Sequence, residues 1–475
     1  MLKQTAKYAV ARWVPGLVNF AAIALYTRLL TQAEYGTYAL AVAWVALVNA
    51  LGFQWLRSGV RRFLIANRED RSGFLATVGR AFLGLCLLVL LLGVILLLWQ
   101  STASQRWLVL AGVLLVLSQA WLDLNLDMVL AEVRPARYGA ATLVRSLVSL
   151  AAGAGLAAAG FGAVGMLAGI AGGYVASGIW LGILQWRGVG GGRARPAVRA
   201  ALWRYGLPLA FTFGLDFIVN SSDRLLLGWL AGTDAVGAYA ASYDLSQQGM
   251  TALMITVNLG AFSMAVQALE LGGVSAAQAQ LRRHAVVLVG LALPATVGLA
   301  LLAPNIAQVV LGSAFRTSGE QLIPIIAVAA FLAGLKAYYF DLAFQLGHST
   351  LPLVWSSGSA AVANVGLNLV LIPRYGAMGA AWATLAAFGL GLGLSIALRG
   401  RGIALPVPWR AWSGLAVASG VMAGVLWTLR AMRGFPGLSL QIAAGALIFG
   451  AVTLLLDIGQ LRTLLLARLA ARARS

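Results

Sequence analysis

Charge is what this sequence has least of. Only 10% of its 475 residues are Asp, Glu, Lys or Arg, whereas roughly a quarter are charged in an ordinary water-soluble chain. Disulfide and metal chemistry are provided for no better. The single Cys86 sits in an apolar run and has no second cysteine to bridge, so an internal disulfide is excluded. His284 and His348 stand alone, outside any Cys-x-x-Cys or His-Glu-x-x-His spacing, and no metal site is expected. Lysine occurs only at Lys3, Lys7 and Lys336, never in a Gly-Lys-Ser/Thr loop. A nucleotide-binding P-loop, and with it direct use of ATP, is therefore not expected. No cofactor is called for.

What is present is hydrocarbon: 61% hydrophobic residues and a mean hydropathy of +0.87. The apolar residues fall in repeated, unalternating stretches of about 20, each long enough to cross roughly 30 Å of lipid as a helix. The expected fold is all-α and polytopic. Fourteen spans are predicted, at roughly 8–30, 35–56, 73–99, 107–130, 139–160, 162–186, 205–230, 235–262, 284–304, 320–345, 352–373, 377–398, 411–430 and 438–457. The longest connections, near 57–72, 187–204 and 263–283, are too short for a soluble domain. The basic N-terminus leads into an apolar stretch that outruns a signal-peptide core and has no small-residue cleavage site behind it, so it reads as a retained first span.

In a soluble protein a formal net charge of +20 would point to nucleic acid. Here the distribution of charge explains it without any nucleic-acid partner. The N-terminus carries Lys3, Lys7 and Arg12, and every second connection continues the series: Arg57, Arg61, Arg62, Arg68 and Arg71; Arg134 and Arg137; Arg187, Arg193, Arg195, Arg199 and Arg204. Arg282 and Arg283 come next, then Arg399, Arg401 and Arg410, then a tail with Arg462, Arg468, Arg472 and Arg474. About 24 of the 34 basic residues thus fall on one side, against about six on the other. By the positive-inside rule both termini are cytoplasmic, as an even number of spans requires. Trp55, Trp186, Trp203, Trp409 and Trp412 fall near expected inner boundaries, and Trp99, Trp107, Trp229 and Trp427 near outer ones, where amphipathic rings prefer to sit.

The chain also repeats itself. Arg28-Leu-Leu-Thr-Gln-Ala-Glu-Tyr35-Gly36-Thr-Tyr38-Ala39 is echoed by the stretch from Arg224 that ends Val-Gly237-Ala-Tyr239-Ala240. Gly162-Ala-Val-Gly165-Met is echoed by Gly376-Ala-Met-Gly379-Ala. Each pair occupies the same place in a six-helix block, so residues 1–195 and 196–400 read as two parallel repeats, with 401–475 adding two helices and a basic tail. Internal repeats of this kind favour a transporter.

The segments Arg28 to Ala39, Asp223-Arg224 to Tyr243, and Asn368-Leu-Val-Leu-Ile-Pro373-Arg-Tyr-Gly376-Ala-Met-Gly379-Ala-Ala-Trp-Ala-Thr384 carry a family resemblance. The chain resembles the polysaccharide transporter (Wzx-type flippase) family of the multidrug/oligosaccharidyl-lipid/polysaccharide exporter superfamily. The resemblance implies two six-helix lobes around a central cavity, alternating access, and a polyprenyl-pyrophosphate-linked oligosaccharide as cargo. It also implies residence in the bacterial cytoplasmic membrane, beside membrane lipids and possible partners among other polysaccharide-assembly proteins. Within the motifs, Pro373 lacks an amide donor and ends a helix, while Gly376 and Gly379 permit a tight turn and close helix contact.

Ionisable groups at mid-bilayer cost about 2.5–3.5 kcal/mol each and call for a cavity or a partner. Asp216, Asp244 and Lys336 are expected roughly 14–17 Å from a helix end, beyond the reach of snorkelling. Arg145 and Asp123 are expected at a shared depth nearer the cytoplasm, where they could pair. Asp123, Asp127, Glu132 and Asp341, close to inner boundaries, read first as structural partners. In the functional version, Arg145, Lys336, Arg224 and Arg28 attract a pyrophosphate, and Asp216 and Asp244 bind a coupling H+ or Na+. Asn19, Asn49, Asn220, Gln247, Gln248, Asn364 and Asn368 could serve sugar hydroxyls or hold helices together. Two other readings compete: an ion-coupled drug or small-cation exporter of the same superfamily, and a membrane-embedded polysaccharide polymerase or ligase. The second is disfavoured by the shortness of every outer connection, and no enzyme activity is expected.

Overall fold

In lipid, a helix satisfies its backbone within one segment, and every regular element described in the computed structural model is helical. The structure describes residue 16 and residues 18–187, 192–258, 260–347, 351–399, 405–460 and 462–463. Lys3, Lys7, Arg12, His348, Arg401, Arg468, Arg472 and Arg474 lie outside the described residues, as do the side chains of Asp216 and Asn220.

The chain divides into two units, 1–237 and 238–475. The first contains α1 (Val18–Leu29), α2 (Gln32–Val48), α3 (Gln54–Phe63), α4 (Arg71–Trp99), α5 (Ala103–Ala131), α6 (Pro135–Leu156), α7 (Gly162–Gln185) and most of α8 (Pro196–Asn258). The second holds the rest of α8, α9 (Ala261–Leu301), α10 (Ala303–Val310), α11 (Arg316–Leu335), α12 (Asp341–Leu346), α13 (Leu351–Ala397), α14 (Trp409–Leu429) and α15 (Gly434–Leu455). Among the described residues nine helical stretches are long and apolar enough to cross a membrane, and α1 is a shorter apolar helix. The protein is an all-α, multi-pass membrane protein.

The expected spans are not separate rods. Three expected pairs run on without a loop, divided only at positive-φ glycines: Gly160 and Gly162 between α6 and α7, Gly232 in α8, and Gly376 in α13. The predicted connection at 263–283 is helical as well, with α9 broken at Gly273. The two echoing glycines share a backbone conformation. Gly162 has φ 51° and ψ −136°, and Gly376 has φ 54° and ψ −131°. That region is essentially closed to residues with a Cβ.

The first motif starts a helix. Thr31 caps α2: its hydroxyl accepts from the Glu34 amide (3.2 Å), while the Glu34 carboxylate accepts from the Thr31 amide (2.9 Å). This reciprocal box satisfies two otherwise orphaned donors. Tyr35 is fully buried, and Gly36 lies against the Thr233 carbonyl and the Gly237 amide. Gly237 in turn lies against the Gln32 carbonyl and the Gly36 amide. The two echoing glycines therefore meet, each seated on the backbone four residues before the other.

In unit 1 a core of Phe53, Leu56, Val60, Phe74, Val78, Leu115 and Met128 joins α3, α4 and α5. The far side of α4 exposes Leu83, Leu87, Leu88 and Leu91, a face suited to lipid. In unit 2, Met250, Leu281, Leu288, Tyr339, Leu342 and Leu415 form the corresponding core. Helices α14 and α15 are tied to α10 by one buried amide pair. Asn305 donates to Gln441 Oε1 (2.8 Å) and accepts from the Gly434 amide (2.9 Å), while Gln441 donates to the Leu429 carbonyl (2.8 Å). Asn305→Ala should lower the melting temperature and expose the 430–434 turn to protease, because each buried group it strands costs about 1–3 kcal/mol. Wild-type melting and an unchanged cleavage pattern would show the tie to be dispensable.

Candidate functional site

Each unit carries a polar cluster inside its apolar helices, and in both a π-turn sets the geometry. A π-turn adds a residue to the helix and rotates the residues beyond it. In unit 1 the turn Asn49–Phe53 separates α2 from α3, held in part by Asn49 donating to the Val45 carbonyl (3.0 Å). Beyond it the chain stays helical to Phe63. The sequence places Arg57 and Arg61 in a connection, but the structure places both on α3, one turn apart. They stay in the helix because α5 supplies Asp123 and Asp127 opposite them. The Arg57 guanidinium bridges both carboxylates at 2.9 Å, and Arg61 reaches Asp127 at 3.5 Å. Asp127 is only 5% exposed and Arg57 16%. Toward the end of α5, Glu132 pairs with Arg71 (2.6 Å) and Arg134 (3.1 Å), and Arg71 also donates to Gln185 Oε1 (3.0 Å).

The expected pairing of Asp123 with Arg145 is not what forms; Asp123 is taken by Arg57. Arg145, half-buried on α6, donates to the Tyr174 hydroxyl (3.0 Å), with its guanidinium carbon 5.1 Å from the centre of that ring. Among the described residues it makes no ion pair. Small residues let α6 and α7 approach this closely: Gly169 lies on the backbone of Gly153, and Gly173 on the Arg145 carbonyl and Ser149. Arg28 is exposed at the end of α1 and donates to the Ala24 carbonyl (2.8 Å). Arg224 is half-buried on α8, next to the buried Asp223.

In unit 2 the π-turn Lys336–Phe340 connects α11 to α12. It brings residues five apart onto one face, so Lys336 and Asp341 meet at 2.7 Å. The Lys336 ammonium also donates to Ser357 Oγ (3.1 Å), and Asp341 accepts from Ser395 Oγ (2.9 Å). The lysine stem rests on Gly391, where a Cβ would lie 3.4 Å from Cε. The same turn directs the Tyr338 carbonyl to His284 Nε2 at 2.8 Å. Asp244 is half-buried on α8. The backbone of Asp216 is helical in unit 1. Asn364 and Asn368, one turn apart on α13, are buried and bonded to one another (3.1 Å). Among the described residues no group of His, Cys, Asp and Glu could hold a metal.

A search of curated proteins gives no match. Among solved structures, the chain resembles lipid II flippase MurJ in its inward closed conformation, with a TM-score of 0.76 at 12% identity over 95% of this chain and 98% of that one. It is also similar to an inward-facing multidrug resistance MATE family transporter of the MOP superfamily, with a TM-score of 0.58 at 14% identity, covering 82% of this chain and 98% of the other. A MOP superfamily transporter from Pyrococcus furiosus aligns with a TM-score of 0.52 at 14% identity, over 84% and 95%. At such identities the likeness establishes the fold, a MurJ-like membrane transporter fold. A family profile described as polysaccharide biosynthesis protein matches residues 25–320. With more than half its length matched, this chain belongs to the polysaccharide biosynthesis protein family.

Proposed function

We propose that the protein is a flippase that moves a polyprenyl-pyrophosphate-linked oligosaccharide across the bacterial cytoplasmic membrane by alternating access, for the assembly of a cell-surface polysaccharide. The observation that carries this reading is Arg145: a membrane-embedded guanidinium held in place by a tyrosine hydroxyl, with no carboxylate in ion-pair range among the described residues. Arg57 and Lys336, by contrast, are neutralised at 2.9 Å and 2.7 Å. Asp123, the carboxylate nearest in electrostatic influence, is taken up by Arg57, and an embedded cation held beyond ion-pair distance of any carboxylate among the described residues is suited to an anion that comes and goes. Family membership agrees with a sugar cargo, and the fold supports transport rather than catalysis.

In this reading residues 1–195 and 196–400 are the two lobes and 401–475 is accessory. Arg28 and Arg224 assist the pyrophosphate, Lys336 joins them only on release from Asp341, and Asp216 and Asp244 take up a coupling H+ or Na+. Both termini face the cytoplasm. The protein's role has a clear physical basis. Each sugar hydroxyl stripped of water without a replacement costs on the order of 2–7 kcal/mol, so a polar path removes a barrier that bare lipid cannot.

The test uses purified protein in liposomes carrying a fluorescent lipid-linked oligosaccharide, with a membrane-impermeant reagent reporting the leaflet. Protein-dependent movement of the head group is expected, and Arg145→Ala should slow it roughly tenfold or more, the weight of a hydrogen bond to a charged group. Arg145→Lys should recover part of the rate. Wild-type movement in Arg145→Ala would remove Arg145 from the path. Gradient-driven uptake of organic cations with no lipid movement would instead establish the exporter.

A further inference from the structure

Arginines on two neighbouring helices of unit 1 are used by neither polar cluster. On α4, Thr77, Arg80, Ala81, Gly84 and Leu85 form a single stripe at helical spacing. On α8, Pro196, Arg199 and Trp203 do the same. Together with Arg195 and Trp55 these stripes line a cavity of about 570 Å³. Its base is built with care. Trp55 is buried and stacks on Trp203 with ring centres 4.7 Å apart, and the Thr77 hydroxyl accepts from the Arg195 amide (2.9 Å), fixing where α8 begins.

The charge of the cavity is one-sided. Arg195 reaches Asp70 at 3.2 Å, and no other ion pair falls on the three arginines among the described residues. Arg80 and Arg199 are exposed and make no side-chain bond there. Two guanidiniums without counter-ions beside a cavity flanked by tryptophan form an anion site of a particular kind. Tryptophan favours the boundary between head groups and hydrocarbon, and arginine there attracts anionic lipid. The stripe continues along α4 into Leu87, Leu88 and Leu91, all exposed. Gly84 marks the crossover: a Cβ placed there would meet nothing within 4 Å, so the groove stays open at the level where a head group gives way to a chain.

We propose that this cavity binds the phosphate of an anionic lipid head group, with Arg80, Arg195 and Arg199 around the phosphate and an acyl or prenyl chain along the leucine face of α4. The site stands apart from Arg145 and does not depend on the transport reading.

The experiment is lipid retention by the purified full-length protein, read by native mass spectrometry. The probes are phosphatidylglycerol, a sugar-free polyprenyl pyrophosphate, uncharged diacylglycerol and inorganic pyrophosphate. Wild-type protein should retain the two phosphate lipids over diacylglycerol. The double variant Arg80→Ala/Arg199→Ala should lose about tenfold or more in retention, from the attraction of two surface arginines. Gly84→Phe, which fills the groove and leaves every arginine in place, should lose as much. Arg374→Ala, on α13, should change nothing. Whichever phosphate lipid is held more tightly identifies the natural occupant. Equal retention by wild type and both variants would overturn the proposal, as would inorganic pyrophosphate binding as tightly as the lipids.

Discussion

Gly36→Ala should produce little or no folded protein, one of the smallest possible substitutions having one of the largest effects. The added methyl would overlap the Thr233 carbonyl and stand 2.9 Å from the Gly237 amide. Both neighbours are backbone, so no side chain can swing aside. Overpacking in cores with mobile neighbours costs about 1–3 kcal/mol, and a fixed backbone places this case at or beyond the upper end. Gly237→Ala should fail in the same way, since its methyl would overlap the Gln32 carbonyl. Gly172→Ala is the control, because nothing lies within 4 Å of a Cβ there. Size-exclusion profiles and melting temperatures in detergent decide the matter. A monodisperse Gly36→Ala protein that melts like wild type would mean that α2 and α8 do not lie this close.

Lys336→Ala should also cost most of the folded yield, through charge rather than shape. It would leave the Asp341 carboxylate, 11% exposed and bonded otherwise to Ser395, as an uncompensated ion among apolar helices. Removing one partner of a buried pair costs about 3–5 kcal/mol, whereas replacing both with apolar residues of similar volume is often neutral. Lys336→Met combined with Asp341→Leu should therefore melt near wild type where each single change does not. The double variant is then the clean one for transport: loss of lipid movement in a well-folded protein would place the pair in the path, and full activity would make it purely architectural. Single variants as stable as wild type would show that the carboxylate is protonated or hydrated without its lysine.

Much of the fold can be read in the sequence because lipid leaves the backbone few choices. Helical runs, their order, and the glycine joints at Gly162 and Gly376 arise from hydropathy and from the echoing motifs, whereas the joint at Gly232 carried no such mark. The π-turns do not. Nothing in Asn49–Phe53 or Lys336–Phe340 marks an i+5 bond, and without that extra residue Asp341 does not face Lys336. Arg57 was hidden by its own charge. An arginine after an apolar run reads as the start of a loop unless its carboxylates are known, and these lie on α5, about 70 residues away. The Gly36–Gly237 contact was half visible: the repeat linked the two glycines as equivalents, but equivalence alone does not say that they touch.

The joints bear on how such a protein can change. Where α6 meets α7, and within α8 and α13, the chain turns at a glycine or two, with no loop residues to spare. Connecting loops tolerate insertions better than the elements they join, and these joints have no loop to lengthen. An inserted residue would rotate everything beyond it by about 100° and turn a lipid-facing surface toward its neighbours. Variation at these joints is confined to what a positive-φ glycine and a single turn allow, so any reporter or epitope tag belongs elsewhere in the chain.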